Sequence, residues 1–194
     1  MTQRTLVVGL GNPGDRYAGT RHNIGAMVVA ELAQRAGVKL SAHKARAAVA
    51  ETRIRPGAPR LVLAQPLSYM NVSGGPVSAL AKYYSLGADD LVVVHDDVDL
   101  SFGAVKLKRG GGEGGHNGLR DITKALGTRD YIRVRVGVGR PPGRMDTADY
   151  VLKRFSGAQA KELPLVISDA ADAVEMLSER GFTDTQQHFH ARLS

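Results

Sequence analysis

The stretch TLVVGLGNPGDRYAGTRHNIG, residues 5–25, decides the fold of this chain. Its apolar run, residues 6–8, leads directly into glycines, Asn12 and a proline, which is typical of a buried strand that ends in a tight turn. A polar loop that contains Tyr17 and His22 follows, and an apolar helical pattern begins after it. Because α/β proteins place their chemistry in the loops at strand ends, we expect this loop to contribute to a functional site.

Three glycines of this stretch, Gly9, Gly11 and Gly14, match the G-x-G-x-x-G fingerprint of dinucleotide-binding proteins. In those proteins the helix begins within the glycine turn, whereas a long polar loop follows the turn here. Pro13 also removes a backbone N–H that would contact a phosphate. The acid at the usual distance, Glu31, lies inside a helical pattern and does not end a second strand. These features disfavour a nicotinamide or flavin cofactor, and we predict none.

Length and composition indicate one soluble domain. A length of 194 residues is sufficient for a single domain with a substantial core. No apolar run approaches the ~20 residues of a membrane span, and the N-terminus lacks the layout of a signal peptide. The chain has no cysteine, which excludes disulfides, zinc–thiolate sites and thiol catalysis. We therefore expect a cytoplasmic protein without membrane association.

The positive charge of the chain is concentrated in one segment. The formal net charge is +7, and residues 103–145 hold ten basic and three acidic residues, which accounts for the whole excess. A basic segment in an otherwise neutral chain favours a polyanionic partner. The alternative is a solvated face that serves solubility, but the same segment contains a glycine loop, residues 110–118, that suits a phosphate.

Strand patterns alternate with helical patterns along the chain, which predicts an α/β layer structure. Ser156 and Gly181 are interpreted as the cap and the stop of a long last helix, in which Pro164 is a candidate break. Asn23 is interpreted as a helix cap. The polar tail, residues 183–194, is left open between a flexible end and an ordered one. The predicted strands are residues 6–8, 48–55, 60–64, 91–94, 105–108 and 132–138, and the predicted helices are residues 24–36, 73–86, 119–126 and 157–180.

A histidine and a carboxylate follow two of the apolar strands. His22 comes after the first strand and Asp96 after the run 91–94, so both side chains can project from the same edge of one sheet. A carboxylate bonded to one imidazole nitrogen fixes the tautomer and raises the basicity of the other nitrogen. That arrangement would let His22 take a proton from water, and no serine or cysteine lies in a nucleophile-elbow motif. The alternative is that His22 packs or caps locally.

The acids Asp96, Asp97 and Asp99 leave a metal site open as a second alternative, since Mg²⁺ needs only one or two carboxylates besides substrate oxygens. Aspartate is also common in turns, which is the simpler explanation for two of the three. No metal is predicted.

Further candidate binding residues lie in loops between strands and helices. Asn12, Asn71 and Asn117 each offer an amide donor and acceptor that can hold a peptide group or a water. Asparagine is also common in turns and caps. Tyr17 and Tyr69 offer rings for stacking on bases or ribose, although tyrosine in a core or at its rim is the commoner case.

Four stretches, GLGNPG with TRHNIG, QPLSYMNVSG, HDDVDL and GGGEGGHNGL, occur in the order and spacing of one family. Because of these four stretches, the chain resembles bacterial-type peptidyl-tRNA hydrolase, and the resemblance extends over residues 5–180. The resemblance implies a monomeric, single-domain, three-layer α/β enzyme in which helices flank a twisted, mixed and largely parallel sheet. It also implies hydrolysis of the ester between the peptidyl group and the 3′ ribose of tRNA, with the acceptor stem and 3′ end of peptidyl-tRNA bound. The chain departs from the family's usual residues at Gln65, Asp97, Ser101 and Glu113.

The resemblance assigns roles to single residues, and none of the departures touches a matched catalytic position. His22 matches the general base and Asp96 the carboxylate that supports it. Asn12 matches the residue linked to a preference for blocked over free aminoacyl-tRNA. A non-catalytic RNA-binding protein on the same scaffold would keep the basic segment without needing His22. The positions that match contacts to the tRNA or the peptidyl end are Tyr17, Tyr69, Asn71 and Asn117, with Lys106, Lys108 and Arg135 as phosphate contacts.

Overall fold

The computed structural model describes residues 4–192 of the chain. The strands are β1 (Arg4–Gly9), β2 (Ser41–His43), β3 (Ala47–Arg53), β4 (Arg60–Pro66), β5 (Leu91–Asp97), β6 (Val105–Arg109) and β7 (Ile132–Gly137). The helices are α1 (Asp15–Ala18), α2 (Ile24–Arg35), α3 (Gly74–Tyr83), α4 (Asn117–Leu126), α5 (Thr147–Val151), α6 (Gly157–Arg180) and α7 (Phe182–Ala191). Short 3₁₀ turns lie at Arg21–Asn23, Met70–Val72 and Ala88–Asp90. None of the helices in this described part is long and apolar enough to cross a bilayer.

One mixed sheet contains the strands of the described residues in the order β2-β3-β4-β1-β5-β7-β6. The four central strands, β4, β1, β5 and β7, run parallel to one another. Towards the edges, β2 pairs antiparallel with β3, β3 with β4, and β6 with β7. This topology confirms the predicted α/β class with a mixed, largely parallel sheet.

Helices cover both faces of the sheet, because successive side chains of each central strand point to opposite sides. Val7 of β1 belongs to a buried cluster that includes Val28 of α2 and side chains of α6. The neighbouring Leu6 belongs to a second cluster, with Leu80 of α3 and side chains of α4. The three layers of helix, sheet and helix therefore follow from strands that are apolar on both faces.

Two glycines bring α2 against the ends of β1 and β5. A Cβ atom on Gly9 would lie 2.2 Å from the carbonyl oxygen of Gly25, and a Cβ atom on Gly25 would lie 2.1 Å from that of Val94. No side chain fits in either place, so backbone packs directly on backbone where α2 begins. The residues just before α2 therefore lie beside the end of β5, and this packing brings His22 close to Asp96.

The C-terminal tail, whose order the sequence leaves open, contains a helix. Within it, α7 packs along the edge strand β6, where Nε2 of Gln186 donates to the carbonyl oxygen of Leu107 at 3.0 Å and Phe189 is buried. The sequence does not predict this helix because the tail is polar overall, and a helix this short is stabilised by tertiary packing that no local pattern reveals. Residues 193–194 of the predicted tail lie outside the described residues.

The periodicity of the sequence also does not predict three short elements. β2 precedes β3 at the sheet edge, α1 forms one turn after Gly14, and α5 lies in the loop that follows β7. In contrast, the predicted ends of α6 are confirmed, since Oγ of Ser156 accepts from the backbone N–H of Gln159 at 3.3 Å and Gly181 ends the helix. Pro164 lies inside α6 and does not divide it.

Candidate active site

A buried aspartate joins two histidines at the carboxyl edge of the sheet. Asp96, near the end of β5, is 3% exposed. Its Oδ2 lies 2.8 Å from Nδ1 of His22, and its Oδ1 lies 2.8 Å from Nε2 of His116. The structure therefore brings His22 and Asp96 together as the strand ends predict, and it adds His116 to the pair.

The surroundings of His116 determine which of its nitrogens carries the proton. Its Nδ1 accepts hydrogen bonds from the backbone N–H groups of Gly118 at 3.1 Å and Leu119 at 3.3 Å, so the ring caps the N-terminus of α4. A ring nitrogen that accepts N–H bonds carries no proton, so the neutral ring holds its proton on Nε2. This Nε2–H donates to Asp96, and one carboxylate oxygen is thereby occupied.

The second carboxylate oxygen of Asp96 accepts a hydrogen bond from His22. Because an ionised carboxylate can only accept, Nδ1 of His22 carries the proton and donates to Asp96, which leaves the lone pair on Nε2. Burial lowers the pKa of His22, but the charge of Asp96 and the hydrogen bond to it outweigh this effect. The pKa of His22 is therefore raised above its ordinary value, and the ring is a stronger base than a free imidazole.

The same contacts keep Asp96 ionised, and burial keeps its neighbour His95 neutral. Burial raises the pKa of the Asp96 carboxyl, but the positive potential of His22 and His116 and the hydrogen bonds from both rings bring that pKa well below its usual range. Burial, together with His116, lowers the pKa of His95 to about 4. Its Nδ1–H donates to the carbonyl oxygen of Asp96 at 2.7 Å, which helps to hold the end of β5 in place.

The two histidines and Asp96 are also the one group of metal-ligand type found within the described residues, with ligand atoms within 4.8 Å of one another. The hydrogen-bond pattern opposes a metal there. A metal on Nε2 of His116 would require the proton of the neutral ring to sit on Nδ1, which faces two backbone N–H donors. Asp97 and Asp99 are engaged elsewhere, in ion pairs with Arg135 and Arg140. The metal-free interpretation therefore stays our prediction.

Hydrogen bonds hold Asn12 in one orientation. Its Oδ1 accepts from the backbone N–H of Met70 at 2.7 Å. Its backbone N–H donates to Oδ1 of Asn23 at 2.9 Å, and Nδ2 of Asn23 donates to the carbonyl oxygen of Asn12 at 2.9 Å. Asn23 therefore fixes the neighbouring loop. It occupies the N-cap position of α2, as predicted, but its side chain makes no capping hydrogen bond because the amide group is already bonded to Asn12.

A cavity of about 590 Å³ opens at this edge of the sheet. The histidines and Asp96 form part of one wall, and α5 forms part of another. The rings of Tyr17 and Tyr69 meet edge to face with centroids 6.3 Å apart, and Tyr69 is 59% exposed at the rim. The cavity brings together seven of the residues that the sequence predicts, namely Asn12, Tyr17, His22, Tyr69, Asn71, Asp96 and Asn117.

Comparison with known proteins identifies the family of the chain. Residues 6–194 match the sequence model of the family described as Peptidyl-tRNA hydrolase. The chain belongs to this family. The peptidyl-tRNA hydrolase of Pseudarthrobacter chlorophenolicus is 64% identical over 190 residues, which cover 98% of this chain and 97% of that protein. A crystal structure of peptidyl-tRNA hydrolase from Acinetobacter baumannii matches with a TM-score of 0.88 and 33% identity, over 98% of this chain and 96% of that one.

In this member of the peptidyl-tRNA hydrolase family, the predicted phosphate contacts lie apart from the large cavity. Lys106 and Lys108 of β6 pair in register with Arg135 and Arg133 of β7. Lys108 and Arg135 line a second cavity, of about 310 Å³, under the glycine loop, whereas Lys106 lines neither cavity. Nε of Arg135 donates to Asp97 at 2.8 Å, so its charge is partly compensated within the protein.

Two arginines restrain the glycine loop, residues 110–118. Arg133 is 1% exposed, and its Nη1 donates to the carbonyl oxygen of Gly112 at 2.5 Å. Glu113 accepts from Nε of Arg129 at 3.3 Å. These bonds restrain a loop whose glycines would otherwise leave it many conformations.

Three residues of the site are missed by sequence reasoning. His116 lies just before the start of α4, where a polar cap is expected. This position is the sequence feature that could have indicated a role for its side chain. Asn23 has the sequence signature of a cap, which conceals its bonds to Asn12. Arg21 has no signal, because an arginine in a polar loop is ordinarily exposed, whereas this one is buried.

Proposed function

We propose that this chain hydrolyses the ester bond between the peptidyl group and the 3′ ribose of peptidyl-tRNA, with His22 as the general base and Asp96 as its support. The observation that carries the proposal is the 2.8 Å hydrogen bond between Nδ1 of His22 and Oδ2 of Asp96 on the wall of a large cavity. Membership of the family supports the substrate. The proposal includes action as a single-domain monomer. It also places the enzyme in the cytoplasm, since peptidyl-tRNA arises there from aborted translation.

The reaction needs a proton acceptor and a donor for an oxyanion. Nε2 of His22 takes a proton from water as the water oxygen attacks the ester carbonyl carbon, and the carbonyl electrons move onto oxygen. Amide groups of Asn71 or Asn117, or backbone N–H groups, stabilise that oxyanion. The tetrahedral species then breaks its bond to the 3′ oxygen of the ribose, which takes the proton back from His22. Asp96 stabilises the imidazolium between these two proton transfers.

The fixed orientation of Asn12 supports a preference for blocked substrates. Because its Oδ1 accepts from the N–H of Met70, the remaining NH₂ group is the part of this side chain that is free to meet a ligand in the cavity. An N-blocked aminoacyl group offers a carbonyl oxygen to such a donor. A free aminoacyl group offers an ammonium, which has only donors and repels the NH₂ group.

The Asn12→Asp variant is expected to weaken this preference. One carboxylate oxygen can keep the bond to Met70, while the other replaces the NH₂ group and favours an ammonium over a carbonyl. We expect the parent to hydrolyse N-acetyl-aminoacyl-tRNA far faster than aminoacyl-tRNA. The variant should reduce the ratio of the two kcat/KM values by about tenfold or more, the scale of one hydrogen bond to a charged group.

The measurement compares both substrates prepared from one tRNA, so that all contacts to the nucleic acid are matched. A variant with the ratio of the parent would remove Asn12 from recognition of the blocking group. A parent that hydrolyses neither substrate would contradict the proposed function itself.

The double variant Lys106→Met and Lys108→Met is expected to bind tRNA more weakly and with a flatter salt dependence. Each lost phosphate contact should reduce the slope of log K against log salt by about 0.7–0.9. Turnover of a minimal N-blocked aminoacyl ester should not change, because neither lysine lines the large cavity. Lys161→Met, at an exposed lysine of α6, is the control for a lost positive charge. A slope equal to that of the parent would place the acceptor stem elsewhere.

A further inference from the structure

The buried residue Arg21 immediately precedes His22 in the chain. Its side chain is 5% exposed, and it forms no ion pair within residues 4–192. Instead, its Nη1 donates to the carbonyl oxygen of Tyr150 at 3.1 Å, and its Nε and Nη2 donate to Oε1 of Gln159 at 3.3 and 2.9 Å. Its guanidinium carbon also lies 3.8 Å from the centre of the Tyr150 ring. The partners in these contacts are all neutral groups. Together they compensate the free-energy cost of burying the charge of Arg21.

The partners of Arg21 belong to the segment that forms the other wall of the cavity. Tyr150 lies on α5, whose residue Val151 lines the cavity, and Gln159 lies in the first turn of α6. The backbone N–H of Arg21 also donates to the carbonyl oxygen of Lys153 at 3.1 Å, between these two helices. Side chain and backbone of Arg21 therefore join the loop of His22 to the α5 wall.

These partners are themselves anchored to the rest of the protein. The hydroxyl of Tyr150 donates to the carbonyl oxygen of Val138, which follows β7, at 3.1 Å. Oε1 of Gln159 also accepts from the backbone N–H of Ser156 at 3.4 Å, as part of the capping box of α6. Arg21 is thus the point at which β7, α5 and α6 are all tied to the turn that carries His22.

We propose that Arg21 is a positioning residue that sets the place of the His22 ring between Asp96 and the α5 wall, an inference that rests on the proposed role of His22 as the base. His22 is held at two points, because Asp96 holds its ring and Arg21 holds the backbone beside it. The 3₁₀ turn Arg21–Asn23 is only 3 residues long, so a shift of Arg21 is passed on to the ring. A misplacement of about 1 Å at a reacting group costs on the order of 10²-fold in rate.

Two substitutions test this role from opposite sides of the contact. Arg21→Lys keeps the charge but replaces the planar fork with one ammonium group, which cannot serve Tyr150 and Gln159 together. Gln159→Met removes the acceptor and leaves Arg21 in place. We expect Arg21→Lys to lower kcat by about 10–10²-fold, with KM for blocked tRNA within about threefold of the parent, and Gln159→Met to act in the same direction but less strongly.

A second readout separates positioning from a purely structural role. The Nδ1–H proton of His22, bonded to Asp96, gives a downfield imidazole signal in NMR of ¹⁵N-labelled protein. In the variants we expect this signal to move upfield and the acid limb of kcat to move to lower pH, because His22 loses part of the influence that raises its pKa. Arg55→Lys, at an exposed arginine paired with Glu179, is the matched control and should behave as the parent.

Unchanged kcat for the folded variants would overturn the role of Arg21. So would a lower kcat that keeps the pH profile and the imidazole signal of the parent, since that result would indicate a structural role alone. If Arg21→Lys does not fold, Gln159→Met supplies the same two readouts. Should His22 prove not to be the base, the imidazole signal still shows whether Arg21 positions the ring, so the two failures are distinguishable.

Discussion

The His22→Ala variant is expected to hydrolyse N-acetyl-aminoacyl-tRNA about 10²–10⁴-fold more slowly than the parent, the usual contribution of a general base. Its affinity for tRNA should change little, because the basic residues of β6 and β7 lie outside the cavity that His22 lines. Single-turnover hydrolysis measures the chemical step, and a filter-binding titration measures the affinity. The loss should therefore appear in kcat.

The control for this variant is His188→Ala, at an exposed histidine of α7. It removes an imidazole of the same kind from a surface that is no part of the cavity, and its kcat should equal that of the parent. If His22→Ala hydrolyses as fast as the parent, the assignment of the base is wrong. Binding of tRNA without hydrolysis by the parent would favour the alternative of a non-catalytic RNA-binding protein.

The Asp96→Asn variant is expected to lose a similar factor, about 10²–10⁴-fold in kcat. Asp96 accepts one hydrogen bond from His22 and one from His116, whereas an asparagine amide has one oxygen and one NH₂ group. One of the two imidazoles must then face a donor. His116 has its other nitrogen committed to the backbone of α4, so we expect His22 to turn or to change tautomer.

The pH dependence of kcat gives an independent test of Asp96. His22 accepts a proton only when Nε2 is free, and its pKa is raised, so the activity of the parent should rise with pH through a value above the ordinary ~6.5. Without the carboxylate, burial alone acts on the ring and lowers its pKa, so the acid limb should move to lower pH. Asp172→Asn, at a surface ion pair with Arg35, is the control. An Asp96→Asn variant with the rate and pH profile of the parent would contradict the proposed mechanism.

Periodicity explains why so much of the fold follows from the sequence. The uninterrupted apolar run 91–94 predicts a central strand, and it lies inside β5 with both faces covered by helices. The meeting of His22 and Asp96 is predictable for a related reason, since parallel strands end at the same edge of a sheet. The helix α7 is not predictable, because its stability depends on packing against β6.

The amino-acid sequence by itself determined the layers of this protein, the edge of the sheet at which its chemistry lies, and the pairing of a histidine with a carboxylate. Only the tertiary structure decided how that pair is held. His116 fixes the second oxygen of Asp96, Asn23 locks the loop of Asn12, and Arg21 bonds to Gln159, 138 positions away in the chain. Hydrogen bonds of about 3 Å depend on strand order and loop conformation, and the spacing of residues along the chain encodes neither.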